Sequence, residues 1–119
     1  MRIIIVFSLV VLCALTTVPF NKIILGGVSK SLKNEFKLTL QEAKKGVSEE
    51  QNKVGWMYDQ GIGVSSNPKK AVSWYRKAAN QGFRQAQINL GVMYEIGRGI
   101  KQDSREAENW YLKSNKNYN

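Results

Sequence analysis

The sequence predicts an all-α fold, a short solenoid of antiparallel helix hairpins, and three observations carry that prediction. The first is an internal repeat: Gly55-Trp-Met-Tyr-Asp-Gln-Gly-Ile-Gly63 recurs 36 positions later as Gly91-Val-Met-Tyr-Glu-Ile-Gly-Arg-Gly99. Between 55–78 and 91–114, nine of 24 positions are identical, among them Ala71/Ala107, Trp74/Trp110, Tyr75/Tyr111 and Lys77/Lys113, and Gly46/Gly82 extends the register. A fixed period of about 20–50 residues marks stacked units, none of which buries its apolar face alone. The second is apolar spacing at three- and four-residue steps, the period of one helix face. The third is punctuation, because glycines and capping residues divide each unit into two helices.

The chain opens with a leader. Met1-Arg2 precedes the uncharged run Ile3–Phe20, which has the charged start, apolar centre and small residues of a secretory signal peptide. Residues 1–16 are expected to be that signal, with Ala14 and Thr16 permitting cleavage before Thr17 and Gly26, Gly27 and Ser29 offering later sites. The alternative is an uncleaved membrane anchor reaching to about residue 26, since 18 uncharged residues are near the lower limit for spanning a bilayer. Lys22, Lys30, Lys33 and Lys37 follow the run and only Arg2 precedes it, so a retained anchor would leave the repeats cytoplasmic. The expected location is exported, either periplasmic or secreted; the alternative is membrane-anchored. Cys13 follows Leu12, without the small residue that bacterial lipoprotein processing uses, and reads as inert. Residues 17–31 are expected to be a linker.

Leu32, Phe36, Leu40, Ala43 and Val47 share one helix face, so 32–47 reads as an N-terminal capping helix, a degenerate second helix of a preceding unit. Leu38 and Thr39 stand in it where Trp74 and Tyr75 stand later. The first full repeat is 48–83. Ser48-Glu-Glu-Gln51 has the capping-box pattern, which starts a helix running to Gln60, with Gly61 in the left-handed cap position. Asn67-Pro68 supplies an N-cap and first-turn proline for a second helix over about 68–81. The second repeat is 84–119: a helix over about 84–96 ends at Gly97, and Asp103-Ser-Arg-Glu106 opens the last helix. Ser114, Asn115 and Tyr118 make its end a polar cap. Gly55 and Gly91 fall inside helices at a cost of about 1 kcal/mol each relative to alanine, which implies close helix approach, with Ala71, Ala78, Ala79 and Ala107 as small partners. Tyr58, Trp74, Tyr75, Leu90, Tyr94, Trp110 and Tyr111 are expected to fill the seams.

These residues carry a resemblance. Ala86-Gln-x-x-Leu90-Gly91-x-Met-Tyr94-x-x-Gly97-x-Gly99-Ile100, followed by Asp103-x-x-x-Ala107-x-x-Trp110-Tyr111-x-Lys113, resembles the Sel-one-like repeat of the tetratricopeptide-like superfamily, as does Trp74-Tyr-Arg-Lys-Ala-Ala-Asn-Gln-Gly82. The similarity covers roughly 43–114; Glu50 departs from it where a small residue is expected, and Ser114-Asn115 depart where paired alanines are. The resemblance implies a right-handed α-solenoid of about two and a half repeats, acting as an adaptor for protein complexes and often found in secreted or envelope-associated bacterial proteins. Cysteine-rich relatives have been linked to β-lactams, but their paired cysteines are missing here and nothing carries over.

Composition narrows the chemistry. The 119 residues, 43% of them apolar, suffice for one small domain of modest stability. Histidine is absent and the one cysteine lies in the leader, which removes the commonest general base, an internal disulfide and a thiolate metal site. The glycine pairs Gly61-Ile-Gly63 and Gly97-Arg-Gly99 follow helices and lack the remaining phosphate-loop signature, so they read as turns. No nucleophile–base constellation is readable, and no enzyme, cofactor or metal is expected.

A net charge of +9 attracts anionic partners without selecting among them. Lys69, Lys70, Arg76, Lys77, Arg105 and Lys113 form an expected basic outer face without a nucleic-acid motif. The first helices are expected to turn Asn52, Trp56, Asp59 and Gln60, then Ile88, Val92, Glu95 and Ile96, toward the concave side. There the apolar members would seat an anchor residue, with Asp59 and Glu95 selecting basic neighbours. The expected function is a non-catalytic scaffold or adaptor binding a peptide or protein through that face. Two alternatives stand beside it: closure of the row by the leader-proximal segment or self-association, and an envelope protein whose basic convex face meets anionic membrane.

Overall fold

The structure, a computed structural model, describes residues 26–116. The chain divides into two units, Met1–Ser31 and Leu32–Asn119. The expected signal peptide and most of the expected linker lie outside the described residues; 26–31 are helical, where a linker was expected.

The second unit is an all-α solenoid. Its helices are α1 (32–44, the part of the helical stretch 26–44 in this unit), α2 (Ser48–Gln60), α3 (Pro68–Asn80), α4 (Arg84–Ile96) and α5 (Ser104–Lys116). No strand occurs among the described residues. Helices α2 and α3 form one hairpin and α4 and α5 the next, with α3 packed on α4 between them. The core is built of Ala71, Val72, Tyr75, Ala78, Ala79, Ala86, Leu90, Met93 and Trp110. Tyr58, Trp74, Tyr94 and Tyr111, expected inside, are only half-buried, because each has an edge or polar tip turned toward solvent.

The punctuation operates as the sequence predicts at Gly61, Gly97, Asn67 and Asp103. Gly61 and Gly97 are left-handed C-caps with φ of 71° and 67°. Asn67 caps α3 through Lys70 N–H, and Asp103 accepts from the amides of Arg105 and Glu106. The capping box at Ser48 does not form. Val47 is the N-cap of α2, without a side-chain bond, as Phe83 is for α4. Gln51, buried, instead donates to the carbonyl of Ala43 at 3.1 Å and accepts from Gln81 at 2.7 Å. Its counterpart 36 positions on, Gln87, donates to the carbonyl of Ala79 at 3.2 Å. Each glutamine thus satisfies a carbonyl in the last turn of the preceding helix, where no intrahelical donor is available.

The helix-interior glycines also have a different reason from the one expected. The alanines are buried, yet the atoms over the glycines are tyrosine rings. A methyl at Gly55 would stand 2.6 Å from Cδ1 of Tyr75, and one at Gly91 would stand 2.5 Å from Cε1 of Tyr111. Gly63 and Gly99, both with positive φ, likewise admit the start of the preceding second helix, at the carbonyls of Leu32 and Pro68.

Gly91→Ala should therefore destabilise the protein by about 1–3 kcal/mol through overpacking, despite alanine's better helix propensity. In a Tyr111→Ala background the same change should be neutral or stabilising. Urea unfolding of the four proteins checks this, and additive losses would refute the ring contact as the cause. Gln51→Leu should cost about 1 kcal/mol by removing the side-chain bond to the Ala43 carbonyl, which keeps only the Gly46 N–H at 3.0 Å, measured in the same way.

Candidate partner-binding face

The first helices α2 and α4 are joined side by side through amides. Asn89 donates to Asn52 at 2.9 Å, and Gln85 donates to Asn89 at 3.1 Å. Beside this chain stand the apolar members of the expected row. Trp56 is 46% exposed, Val92 39% and Ile96 59%, whereas Ile88 and Asn52 are half-buried. Trp56 and Val92 occupy equivalent positions in the two repeats, so the same helix face leaves apolar surface uncovered twice.

The two carboxylates differ from each other and from the expected pair of selectors. Asp59 is ion-paired with Arg98, Nε to Oδ1 at 2.6 Å, and its side chain is only 15% exposed. Gln60, exposed, donates to the other Asp59 oxygen at 2.9 Å. The Arg98 guanidinium also donates to the Asp59 main-chain carbonyl at 2.9 Å, placing a cation at the negative end of α2. The Asp59 carboxylate, expected as a selector of basic neighbours, is thus already paired with a cation of this chain. The exposed Glu95 accepts at its carboxylate from the Tyr111 hydroxyl, at 2.7 Å.

Burial, and then the hydrogen bond and charge of Glu95, push the Tyr111 hydroxyl up to about 12. Tyr75 is raised too, by burial first and by the Asp59 charge second, with Arg98 opposing. Lys53 is raised chiefly by its bond to Glu35, 2.9 Å away.

The expected basic residues are exposed, and three of the six rest on aromatic rings. Lys77 lies 4.3 Å from the Trp74 ring, Lys113 4.1 Å from that of Trp110, and Lys70 5.4 Å from that of Tyr58. Arg76 donates to the Tyr94 hydroxyl at 3.0 Å. Lys69 and Arg105 are exposed. All six belong to the second helices α3 and α5, on the layer opposite the apolar row. Among the described residues no three His, Cys, Asp or Glu side chains gather as a metal site, and no helix is long and apolar enough to cross a membrane.

Sequence reasoning missed Asn89, Arg98 and Gln51/Gln87. Arg98 had a signal: it interrupts an otherwise matching glycine loop where the first repeat has Ile62. The glutamine pair is itself a repeat identity, just outside the window that was aligned.

With this geometry in place, the relatives are informative. The Sel1 repeat model matches residues 51–83 and 84–119. The structure of a Sel1 repeat protein from Oxalobacter formigenes is 37% identical with a TM-score of 0.67, over 68% of this chain and 62% of that one. A protective antigen present in uropathogenic Escherichia coli strains and displaying an SLR fold is 32% identical with a TM-score of 0.71, over 73% of this chain and 19% of that one. Helicobacter pylori cysteine rich protein B, 15% identical with a TM-score of 0.69 over 82% of this chain and 88% of that one, shares the fold. The comparison with curated proteins finds no match. The chain thus spans less than two thirds of the Oxalobacter and Escherichia proteins.

The Tyr111 contact makes stability depend on alkaline pH. Tyrosine in the unfolded chain ionises near 10, so the fold holds the neutral form. That contribution is complete below about pH 10 and is lost as pH rises through about 12. Tyr111→Phe should flatten the fall in melting temperature over that window, measured by circular dichroism against the parent, in which the lysine titrations are the same. An equally steep fall would show that Tyr111 does not contribute to it.

Proposed function

We propose, from the premise that the chain belongs to the Sel1 repeat family, that it is a non-catalytic scaffold taking a peptide or protein partner on its first-helix face. Repeats of this family commonly serve as protein-interaction scaffolds, and the observation that supports the reading here is the uncovered row Trp56, Val92 and Ile96 on successive first helices. The row seats an apolar or aromatic side chain. The amides of Asn52 and Asn89 carry both donors and acceptors, so they complement a peptide main chain without reading its sequence. Glu95, charged and exposed next to Ile96, favours a basic residue beside the anchor. The leader's composition supports an exported, periplasmic or secreted location, or a membrane-anchored one, within the same proposal.

Trp56→Ala combined with Val92→Glu should abolish partner capture in a crosslinking pull-down from the native cell. Helicity should be unchanged and the melting temperature nearly so, because both side chains are substantially exposed. A folded double mutant that still captures the partner would move the site elsewhere. Unfolding would assign the row to the core, and a wild-type protein that self-associates through the row would replace the partner by a second copy.

A further inference from the structure

The second-helix layer carries a separate surface, and we infer that it docks on a bilayer of anionic phospholipid. Charge is divided between the layers. Helix α3 has Lys69, Lys70, Arg76 and Lys77 and no carboxylate, whereas its hairpin partner α2 has Glu49, Glu50 and Asp59 against Lys53 alone. Helix α5 adds Arg105, Lys113 and Lys116 against Glu106 and Glu108, and α4 has one charge of each sign, Arg84 and Glu95. On α1, Lys33, Lys37 and Lys44 outnumber Glu35 and Glu42, and both of these acids are drawn into ion pairs, with Lys53 and Lys45. The positive charge therefore concentrates on one layer and spreads along it. At about 1.5 Å per residue, a helix the length of α3 distributes it over roughly 20 Å, a pattern that suits an extended charged plane better than a single bound anion.

The form of the cations selects among polyanions. Lys77 and Lys113 lie over the indole rings of Trp74 and Trp110 at equivalent positions, which restrains the ammonium groups and covers the ring faces. A single-stranded nucleic acid would use such faces for base stacking, and here the lysines occupy them. A headgroup phosphate asks only for the ammonium. Leu112, 52% exposed on the same helix as Lys113 and Lys116, offers an apolar side chain to the interface, as membrane-surface helices do.

The test uses the full chain with vesicles of phosphatidylcholine alone and of phosphatidylcholine mixed with phosphatidylglycerol. The apolar leader contributes to retention on both, so the readout is the difference between them. The anionic vesicles should bind more tightly, with the excess shrinking as salt is raised. Combining Lys69→Glu, Lys77→Glu, Arg105→Glu and Lys113→Glu should reduce that excess by about tenfold or more, given the contribution of each basic residue near such a surface. Arg84→Gln, a charge neutralisation at an exposed residue of the first helix α4, should reduce it by less per charge removed. If the fourfold variant does not fold, Lys69→Gln with Arg105→Gln, at side chains that rest on no aromatic ring, serves in its place, with a proportionate loss expected. Equal binding to both vesicle types, an undiminished excess in the variants, or an equal loss per charge in Arg84→Gln would overturn the inference. So would displacement of the anionic vesicles by a single-stranded oligonucleotide at equal phosphate. Because Trp56 and Val92 lie on the other layer, their double mutant should keep the lipid preference, so this surface and the partner face can fail independently.

Discussion

A tyrosine ring lying on a glycine sets the geometry of each hairpin, and much of the remaining structure depends on it. The Tyr75 ring on Gly55 and the Tyr111 ring on Gly91 leave no room for a methyl group between the helices. Close approach then fixes where the first helix must turn back, so Gly61 and Gly97 fall in left-handed conformations and the returning loop reaches the same carbonyl in each repeat. Asn67 N–H donates to Tyr58, and Asp103 N–H to Tyr94. The residue before each cap bonds a carbonyl in the last turn of the first helix: Ser66 Oγ donates to Asp59, and Gln102 Nε2 to Glu95. Different side chains do the same work because the backbone geometry is the same. The Tyr111 ring is also attached to the exposed surface, since its hydroxyl reaches Glu95, one turn beyond Gly91. Core packing and the charge of the first-helix face are therefore coupled through one residue.

Between hairpins the connection is polar. Buried glutamines at the start of α2 and α4 reach the last turn of the preceding helix, each adding a second donor to a carbonyl that also accepts from the amide of Gly46 or Gly82, and a glutamine amide left buried without that acceptor would cost more than the bond itself contributes. This makes the stacking directional: an apolar seam tolerates sliding, whereas a side chain with one acceptor in reach does not. Arg98 adds a second connection on the other side of the layer, from the loop after α4 to the end of α2.

The fold was legible because its determinants are local and recur. Helix limits followed from Gly61, Gly97, Asn67 and Asp103, whose roles depend on backbone conformation within a few residues. What the sequence concealed involves partners distant along the chain. Ser48 and Gln51 satisfy the capping-box spacing, yet the Gln51 amide finds a buried carbonyl eight residues back and a second glutamine thirty residues on, and local capping loses. Asp59 looked free because Arg98 is 39 residues away. The glycines were correctly expected to mark close approach, but spacing alone does not distinguish an alanine from a tyrosine ring as the opposing group. The exposed row was readable because its members are what the core leaves over.

The same register explains how so few hairpins present two distinct faces without extending into each other. Where α3 has Ala71 and Ala78, both fully buried, α1 has Glu35 and Glu42, both exposed. Where α3 has Val72 and Ala79 in the core, α5 has Glu108 and Asn115, again exposed. The surfaces of α1 and α5 that correspond to stacking surfaces thus carry groups, among them the ion-paired Glu35 and Glu42, that would need to be desolvated before another helix packed on them. The positions around the amide row follow the opposite rule, since Trp56, Val92 and Ile96 are apolar where solvation alone would favour polar residues. These surfaces of α1 and α5 and the first-helix face therefore differ in kind: covering the former requires desolvation of polar groups, whereas covering the latter removes apolar surface from water.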